Sequence, residues 1–302
     1  MALPKVLPGL IAAICGASIL FGAQAPAQAL EIETHDGLQY GTGGGEKLLL
    51  DLARPKNLDK PTACVVFIHG GGWAAGNRKA HYANMQKAAE EGFVSATISY
   101  RLVRDGKHRW PAQVEDCKCA IRWLRANSER FSIDPNRIGA FGDSAGAHLS
   151  MLLGTMDKGD GLEGEGGTPD QSSKVQAVVG YYGPTNLATE YPETSRGIVA
   201  NFIGGTQNER RADYERASPV KYVNAGDAPM LIFHGTKDEL VPYEQAFEMA
   251  TALTNAGVGG RVEILLGHRH GWGGETADHT RRMTMEFFRQ ALKHTNASTS
   301  SK

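Results

Sequence analysis

The stretch Phe141-Gly142-Asp143-Ser144-Ala145-Gly146 decides how the chain is read. Before it runs Arg137–Phe141, a short apolar segment suited to a buried strand, and after it come Ala147, Leu149, Met151 and Leu152, spaced as on a helix. Gly142 and Gly146 stand two residues either side of Ser144, where a tight strand-to-helix turn needs room to pack. With 37 glycines in 302 residues, chance alone supplies about 0.2 matches to this spacing. The strand–turn–helix context therefore carries more weight than the pattern.

Working outward, six further runs read as strands: Leu48–Leu52, Ala63–Ile68, Val94–Tyr100, Val175–Tyr181, Met230–His234 and Val262–Leu266. Helical patterns fill the gaps at Lys79–Glu91, Ala112–Glu129, Tyr243–Ala256 and Thr276–Leu292. The second is the clearest, with Val114, Cys117, Ile121 and Leu124 on one face. Alternating strands and helices predict an α/β fold with a doubly wound, mostly parallel sheet. Two stretches break the alternation within a single domain over residues 30–294. Asp157–Ser173, with five glycines, reads as a mobile surface excursion, and residues 185–227 read as a small cap over the sheet's carboxyl edge. Residues 295–302 read as a flexible tail.

The composition, 41% hydrophobic and 22% charged with a net charge of -1, excludes a disordered chain and gives no basic surplus for nucleic acid. At the amino terminus Lys5 precedes an apolar run from Val6 to Phe21, and Ala27-Gln28-Ala29 has the small-x-small form of a signal peptidase site. Residues 1–29 are thus expected to be a secretory signal, leaving no stable membrane span and a secreted or periplasmic protein. An uncleaved anchor is the alternative. Cys15 is not expected to carry a lipid, because Ile14 is bulky where a small residue is wanted. Cys64, Cys117 and Cys119 remain, an odd number with no disulfide framework.

Three other segments bear on chemistry. Val65–Ile68 runs into His69-Gly70-Gly71-Gly72-Trp73, whose backbone N–H groups can converge on a developing negative charge. The candidate donors are the amides of Gly71, Gly72 and Ala145. A phosphate-gripping loop is disfavoured, since no Gly-Lys-Ser or Gly-Lys-Thr follows. A nucleophilic serine needs a base and an acid to orient it. Asp238 lies just beyond the strand ending at His234 and is the preferred acid, with Glu239 as the alternative. His270, flanked by Gly271, is the preferred base, and His268 on the same loop is its rival. His69 and His234 read as structural supports, and His148 as packed or hydrogen-bonded on its helix. His268, His270 and Glu275 lack a metal-binding spacing, so neither metal nor cofactor is expected. The order Ser144, Asp238, His270 is that of a hydrolase on a doubly wound sheet.

With His69–Trp73, Gly142–Gly146, Tyr182-Gly183-Pro184, Ala217-Ser218-Pro219, His234–Asp238 and His270-Gly271 in view, the sequence resembles the α/β-hydrolases of the esterase/lipase branch. It is similar to secreted bacterial carboxylesterases related to acetyl xylan and feruloyl esterases, over residues 48 to 292. The resemblance implies a serine esterase with Ser144, Asp238 and His270 as triad and Gly71, Gly72 and Ala145 as oxyanion donors. Its substrate would be a small or polysaccharide-linked ester. Two departures stand out: Asn186 replaces the usual Asp, and the last loop carries two histidines. Trp73, Tyr182 and Trp272 are candidate pocket walls, with Tyr181 and Phe202 behind them. No apolar lid helix is evident, which favours a short acyl group. A serine exopeptidase, a long-chain lipase and a non-catalytic binding protein are the rival readings.

Overall fold

The computed structural model describes residues 30–293. The leader with its Ala27-Gln28-Ala29 site and the polar tail lie outside the described residues. Eight strands form one sheet: β1 (Ile32–Gly43), β2 (Glu46–Pro55), β3 (Thr62–Ile68), β4 (Val94–Ile98), β5 (Ile133–Asp143), β6 (Ala177–Tyr181), β7 (Met230–Gly235) and β8 (Gly260–Leu265). Their order is β1-β2-β4-β3-β5-β6-β7-β8. β1 and β2 pair antiparallel, as do β2 and β4, and every pairing from β4 to β8 is parallel.

Both faces of the sheet are covered, which is why its inner strands read as unbroken apolar runs. Along β3, Cys64, Val66 and Ile68 pack into one layer while Ala63, Val65 and Phe67 pack into the other. The first layer is closed by α2 (Ala112–Ala126), α4 (Ala145–Thr155) and α7 (Glu244–Asn255), and the second by α1 (Tyr82–Glu90) and α8 (Gly274–Ala291). The predicted helix 112–129 is interrupted at Asn127, and a short α3 (Ser128–Phe131) follows, ended by Ser132 at φ 57°.

Two features differ from the sequence expectation, and a third adds detail to it. β1 was not foreseen, because Glu33, His35 and Asp36 give it little apolar character. It is an edge strand, paired on one side only, and its register with β2 slips twice. The 157–173 excursion is not loose. Glu163 bridges Lys118 at 2.9 Å and Arg122 at 2.6 Å, two cations on α2 whose side chains are only 1% exposed. Without that carboxylate both charges would be buried unpaired, a costly state that pins the segment to the helix. Lastly, residues 185–227 hold two helices, α5 (Glu193–Ile203) and α6 (Arg211–Arg216). The α5 hydroxyls of Thr194 and Ser195 donate to the carbonyls of Glu239 and Leu240, at 2.7 and 2.6 Å. These bonds lay α5 across the carboxyl ends of the strands.

Candidate active site

β5 ends at Asp143 and α4 starts at Ala145, so Ser144 alone makes the turn, with φ 50° and ψ -120°. A non-glycine residue held there stores roughly 1–3 kcal/mol of strain, which its surroundings must offset. The Ser144 N–H donates to the Tyr181 carbonyl at 2.8 Å, and its carbonyl accepts from the His148 N–H. The flanking glycines are compulsory. A Cβ at residue 142 would lie 2.2 Å from the Gly146 carbonyl carbon, and one at residue 146 would lie 2.0 Å from the Ile68 oxygen.

His270 Nε2 lies 2.9 Å from Ser144 Oγ, and His270 Nδ1 lies 2.8 Å from Asp238 Oδ2. The Asp238 side chain is fully buried and also accepts from the Leu240 and Val241 N–H groups, both at 2.9 Å, and from His234 Nε2 at 3.1 Å. Burial opposes its ionisation, but the hydrogen bonds from His234, His270 and the Val241 N–H prevail and hold its carboxyl well below the usual carboxylate range. An ionised Asp238 keeps the His270 proton on Nδ1, which leaves Nε2 free to accept from the serine hydroxyl. The rivals do not join this chain. Glu239 is exposed and paired with Arg269, and His268 Nε2 faces Thr276 Oγ1 at 3.5 Å. His268 still contributes its carbonyl, which accepts from the Lys237 N–H just before the acid.

The His69–Trp73 loop turns at Gly71 (φ 112°) and Gly72 (φ 57°). Among the described residues the N–H groups of Gly71 and Gly72 have no acceptor within the chain. Ala145 opens α4, where a first-turn N–H is also free of helical partners. All three residues line one cavity of about 630 Å3 together with Ser144 and His270. His69 supports the loop: it stacks on Tyr100 at 4.3 Å, and its Nδ1–H donates to the Gly70 carbonyl at 2.8 Å.

Trp73 and Tyr182 line the same cavity. Trp272 does not. Its indole donates to Thr280 Oγ1 at 2.9 Å and borders a separate cavity of about 220 Å3, because the chain reverses at Gly271 (φ 117°) and carries it toward α8. Tyr181 also borders that second cavity, and Phe202 is buried behind Trp73, stacked at 4.1 Å. Tyr191, Ile198, Leu240 and Val241 also line the main cavity. Sequence reading missed all four, since they come from the cap and from the turn after Asp238, where no periodicity marks them. His148 bonds beyond its own helix: its Nδ1 accepts from Trp73 Nε1 at 3.2 Å and its Nε2–H donates to the Ala217 carbonyl at 2.7 Å. Burial pushes its pKa down to about 4. Asn186 shapes its own turn, its Oδ1 accepting from the Ala188 N–H at 3.0 Å.

Among the described residues Cys64, Cys117 and Cys119 are free and buried, and burial pushes the Cys64 thiol up to about 12. Among the described residues no group of three His, Cys, Asp or Glu side chains is placed to hold a metal ion, and no helix is long and apolar enough to cross a membrane.

The doubly covered, mostly parallel sheet, the single-residue turn at Ser144 and the strand-end residues Asp238 and His270 define an α/β-hydrolase fold. Residues 50–253 match the BD-FAE family, and the chain belongs to it. It is 36% identical over 207 residues to esterase LipC of Mycobacterium tuberculosis, covering 66% of this chain and 50% of LipC. To esterase LipQ of the same organism it is 32% identical, over 77% of this chain and 55% of LipQ. The chain thus spans about half the length of the curated relatives it matches. Among solved structures, a truncated carbohydrate esterase from gut microbiota superposes with a TM-score of 0.75 at 26% identity, covering 89% of this chain and 99% of the other. The propionate-bound esterase 2 of Thermogutta terrifontis gives 0.72 at 26%, covering 87% and 94%.

Proposed function

We propose that the protein is a serine esterase of short-acyl or aryl carboxylic esters. The observation that carries this is the unbroken chain Ser144 Oγ, His270 Nε2, His270 Nδ1, Asp238 Oδ2, with steps of 2.9 and 2.8 Å, opening beside three free amides. Ser144 attacks the ester carbonyl as His270 takes its proton. The tetrahedral oxyanion is held by the N–H groups of Gly71, Gly72 and Ala145, each worth about 3 kcal/mol where such donors have been removed. Asp238 fixes the imidazole tautomer and favours its protonated form. His270 then protonates the leaving alcohol. A water deprotonated by the same imidazole attacks the acyl-enzyme, releasing the carboxylic acid and restoring Ser144.

A short acyl group is supported by a cavity of about 630 Å3 with Tyr191 and Ile198 in its wall, and by the related Thermogutta esterase, which holds propionate or butyrate. On the alcohol side we read acetylated or feruloylated plant polysaccharide as the natural source. The gut carbohydrate esterase matched over 99% of its length supports that reading. The leader pattern of residues 1–29 supports export to the periplasm or beyond.

The test is turnover of p-nitrophenyl acetate, butyrate, octanoate and palmitate, with Ser144→Ala as control. Activity peaking at acetate or butyrate and abolished in the variant is the expected result. Equal inactivity of both proteins on every ester refutes the esterase reading. Acetylated xylan and methyl ferulate then separate polymer-linked from free esters.

A further inference from the structure

Asp143, the residue between Gly142 and Ser144, takes no part in the triad, yet its carboxylate joins the two halves of the site. Oδ1 accepts from the Gly70 N–H at 3.1 Å, one residue before the oxyanion amides of Gly71 and Gly72. The same oxygen accepts from His81 Nε2–H at 2.8 Å. His81 Nδ1 in turn faces Asn84 Nδ2 at 3.2 Å, and because an amide nitrogen only donates, that contact leaves the imidazole proton on Nε2. A directed series therefore runs Asn84, His81, Asp143, with Gly70 bonded to the same carboxylate. The approach is close: a Cβ at residue 70 would lie 2.6 Å from Asp143 Oδ2. His81 is held from two further sides, its ring 6.0 Å from that of Phe67 and edge-on to Phe141 at 5.3 Å. Burial opposes ionisation of Asp143, but the His81 hydrogen bond and the Gly70 N–H outweigh it and keep its carboxyl below the usual range.

We infer that Asp143 and His81 are positioning residues that set where the Gly71 and Gly72 amides stand relative to Ser144 Oγ. The inference rests on the esterase reading above. Its physical basis is that the carboxylate belongs to the nucleophile turn while its acceptor oxygen grips the oxyanion loop. Neither half can shift without stretching this one bond. An amide a few tenths of an ångström out of place weakens the hydrogen bond to the oxyanion and leaves the bound ester almost untouched. The signature is therefore a loss in kcat at nearly constant KM.

The experiment compares Asp143→Ala, Asp143→Asn and His81→Phe on p-nitrophenyl butyrate, with Ki for an alkyl boronic acid as a measure of tetrahedral binding. Asp143→Ala is expected to lower kcat about 100-fold, the scale of one lost oxyanion donor, with KM within threefold. Asp143→Asn keeps an acceptor for Gly70 and is expected to recover most of that loss. His81→Phe keeps the ring packing and removes the donor, and is expected to lower kcat about tenfold. The boronate Ki should rise by the same factors as kcat falls. If Asp143→Ala does not fold, His81→Phe and its Ki decide. The inference is overturned if kcat stays within threefold in both of these variants, if Asp143→Asn falls as far as Asp143→Ala, or if KM rises in step while the boronate Ki does not. A wild type no more active than Ser144→Ala refutes the esterase reading itself, a different result from an active wild type with unaffected variants.

Discussion

Replacing Asp238 by Asn changes one carboxylate oxygen into an NH2 group of nearly the same size. In the structure Oδ1 accepts from the N–H groups of Leu240 and Val241, and Oδ2 faces two imidazole nitrogens, His234 Nε2 and His270 Nδ1. An asparagine keeps the backbone pair with its oxygen and must then aim its NH2 at both imidazoles. His270 can accept that hydrogen bond only by moving its proton to Nε2, where it faces Ser144 and can no longer take the hydroxyl proton. A wrong tautomer of this kind costs about 10⁴ in kcat, or roughly 5–6 kcal/mol. KM should change little. The fold should survive, because the backbone clamp remains, although the His234 bond to the carboxylate, worth about 1.5–3 kcal/mol, is lost and the His270 bond is no longer to a charged group. Stability should also lose part of its acid dependence. The native carboxyl is depressed, so its contribution is present above its ordinary range near 4 and is lost as pH falls through its folded value. The asparagine cannot show that loss. The assay is steady-state hydrolysis of p-nitrophenyl butyrate, with thermal melts from pH 3 to 7. Glu239→Gln serves as the neighbouring control and should leave kcat unaltered, because the Glu239 side chain pairs with Arg269 at the surface and its carbonyl bond to Thr194 is kept. A folded Asp238→Asn protein within tenfold of wild-type kcat would refute the reasoning, as would a loss that appeared in Glu239→Gln instead.

Other consequences follow from single contacts. Gly146→Ala should give no soluble, folded protein, since its Cβ would meet the Ile68 oxygen at 2.0 Å; a soluble variant with a wild-type circular dichroism spectrum would contradict this. Glu163→Ala strands Lys118 and Arg122 in the interior and should destabilise by about 3–5 kcal/mol in a urea melt, with kcat of the folded protein unaltered. His148 is buried and neutral with its pKa pushed down to about 4. The unfolded chain therefore binds its proton first, and stability should fall by about 3 kcal/mol as pH drops from about 6.5 to about 4. His148→Gln should flatten that slope, and an unchanged slope would show that other groups set it.

Legibility in the sequence followed how many constraints each residue meets at once. The inner strands are buried on two faces, so Val65–Ile68 and Met230–His234 could hardly be anything but apolar, and their positions could be read directly. Ser144 and Asp238 stand at the carboxyl ends of such strands and His270 beyond the edge strand β8, and each is fixed by neighbours close in sequence: glycines two residues away, the Leu240 and Val241 amides, the Gly271 reversal. β1 escaped notice because an edge strand half in water tolerates Glu33 and Asp36. The 157–173 segment looked loose because its anchor is remote, a carboxylate answering two cations some forty residues earlier.

The cavity wall was illegible for a related reason, and it bears on specificity. Ile198 and Tyr191 reach the site only because α5 is tied to the acid loop through the Thr194 and Ser195 hydroxyls, bonds to main-chain carbonyls that place no demand on the sequence at residues 239 and 240. The Trp272 expectation failed in the mirror-image way, since proximity to His270 along the chain says nothing once Gly271 turns it. Chemistry here is held by local geometry with strict residue requirements. The cavity wall is held by long-range contacts that many side chains could satisfy, so it can change without disturbing Ser144, Asp238 and His270. Replacing α5 residues that face the cavity should accordingly move chain-length preference while Ser144, His270 and Asp238 keep their spacing.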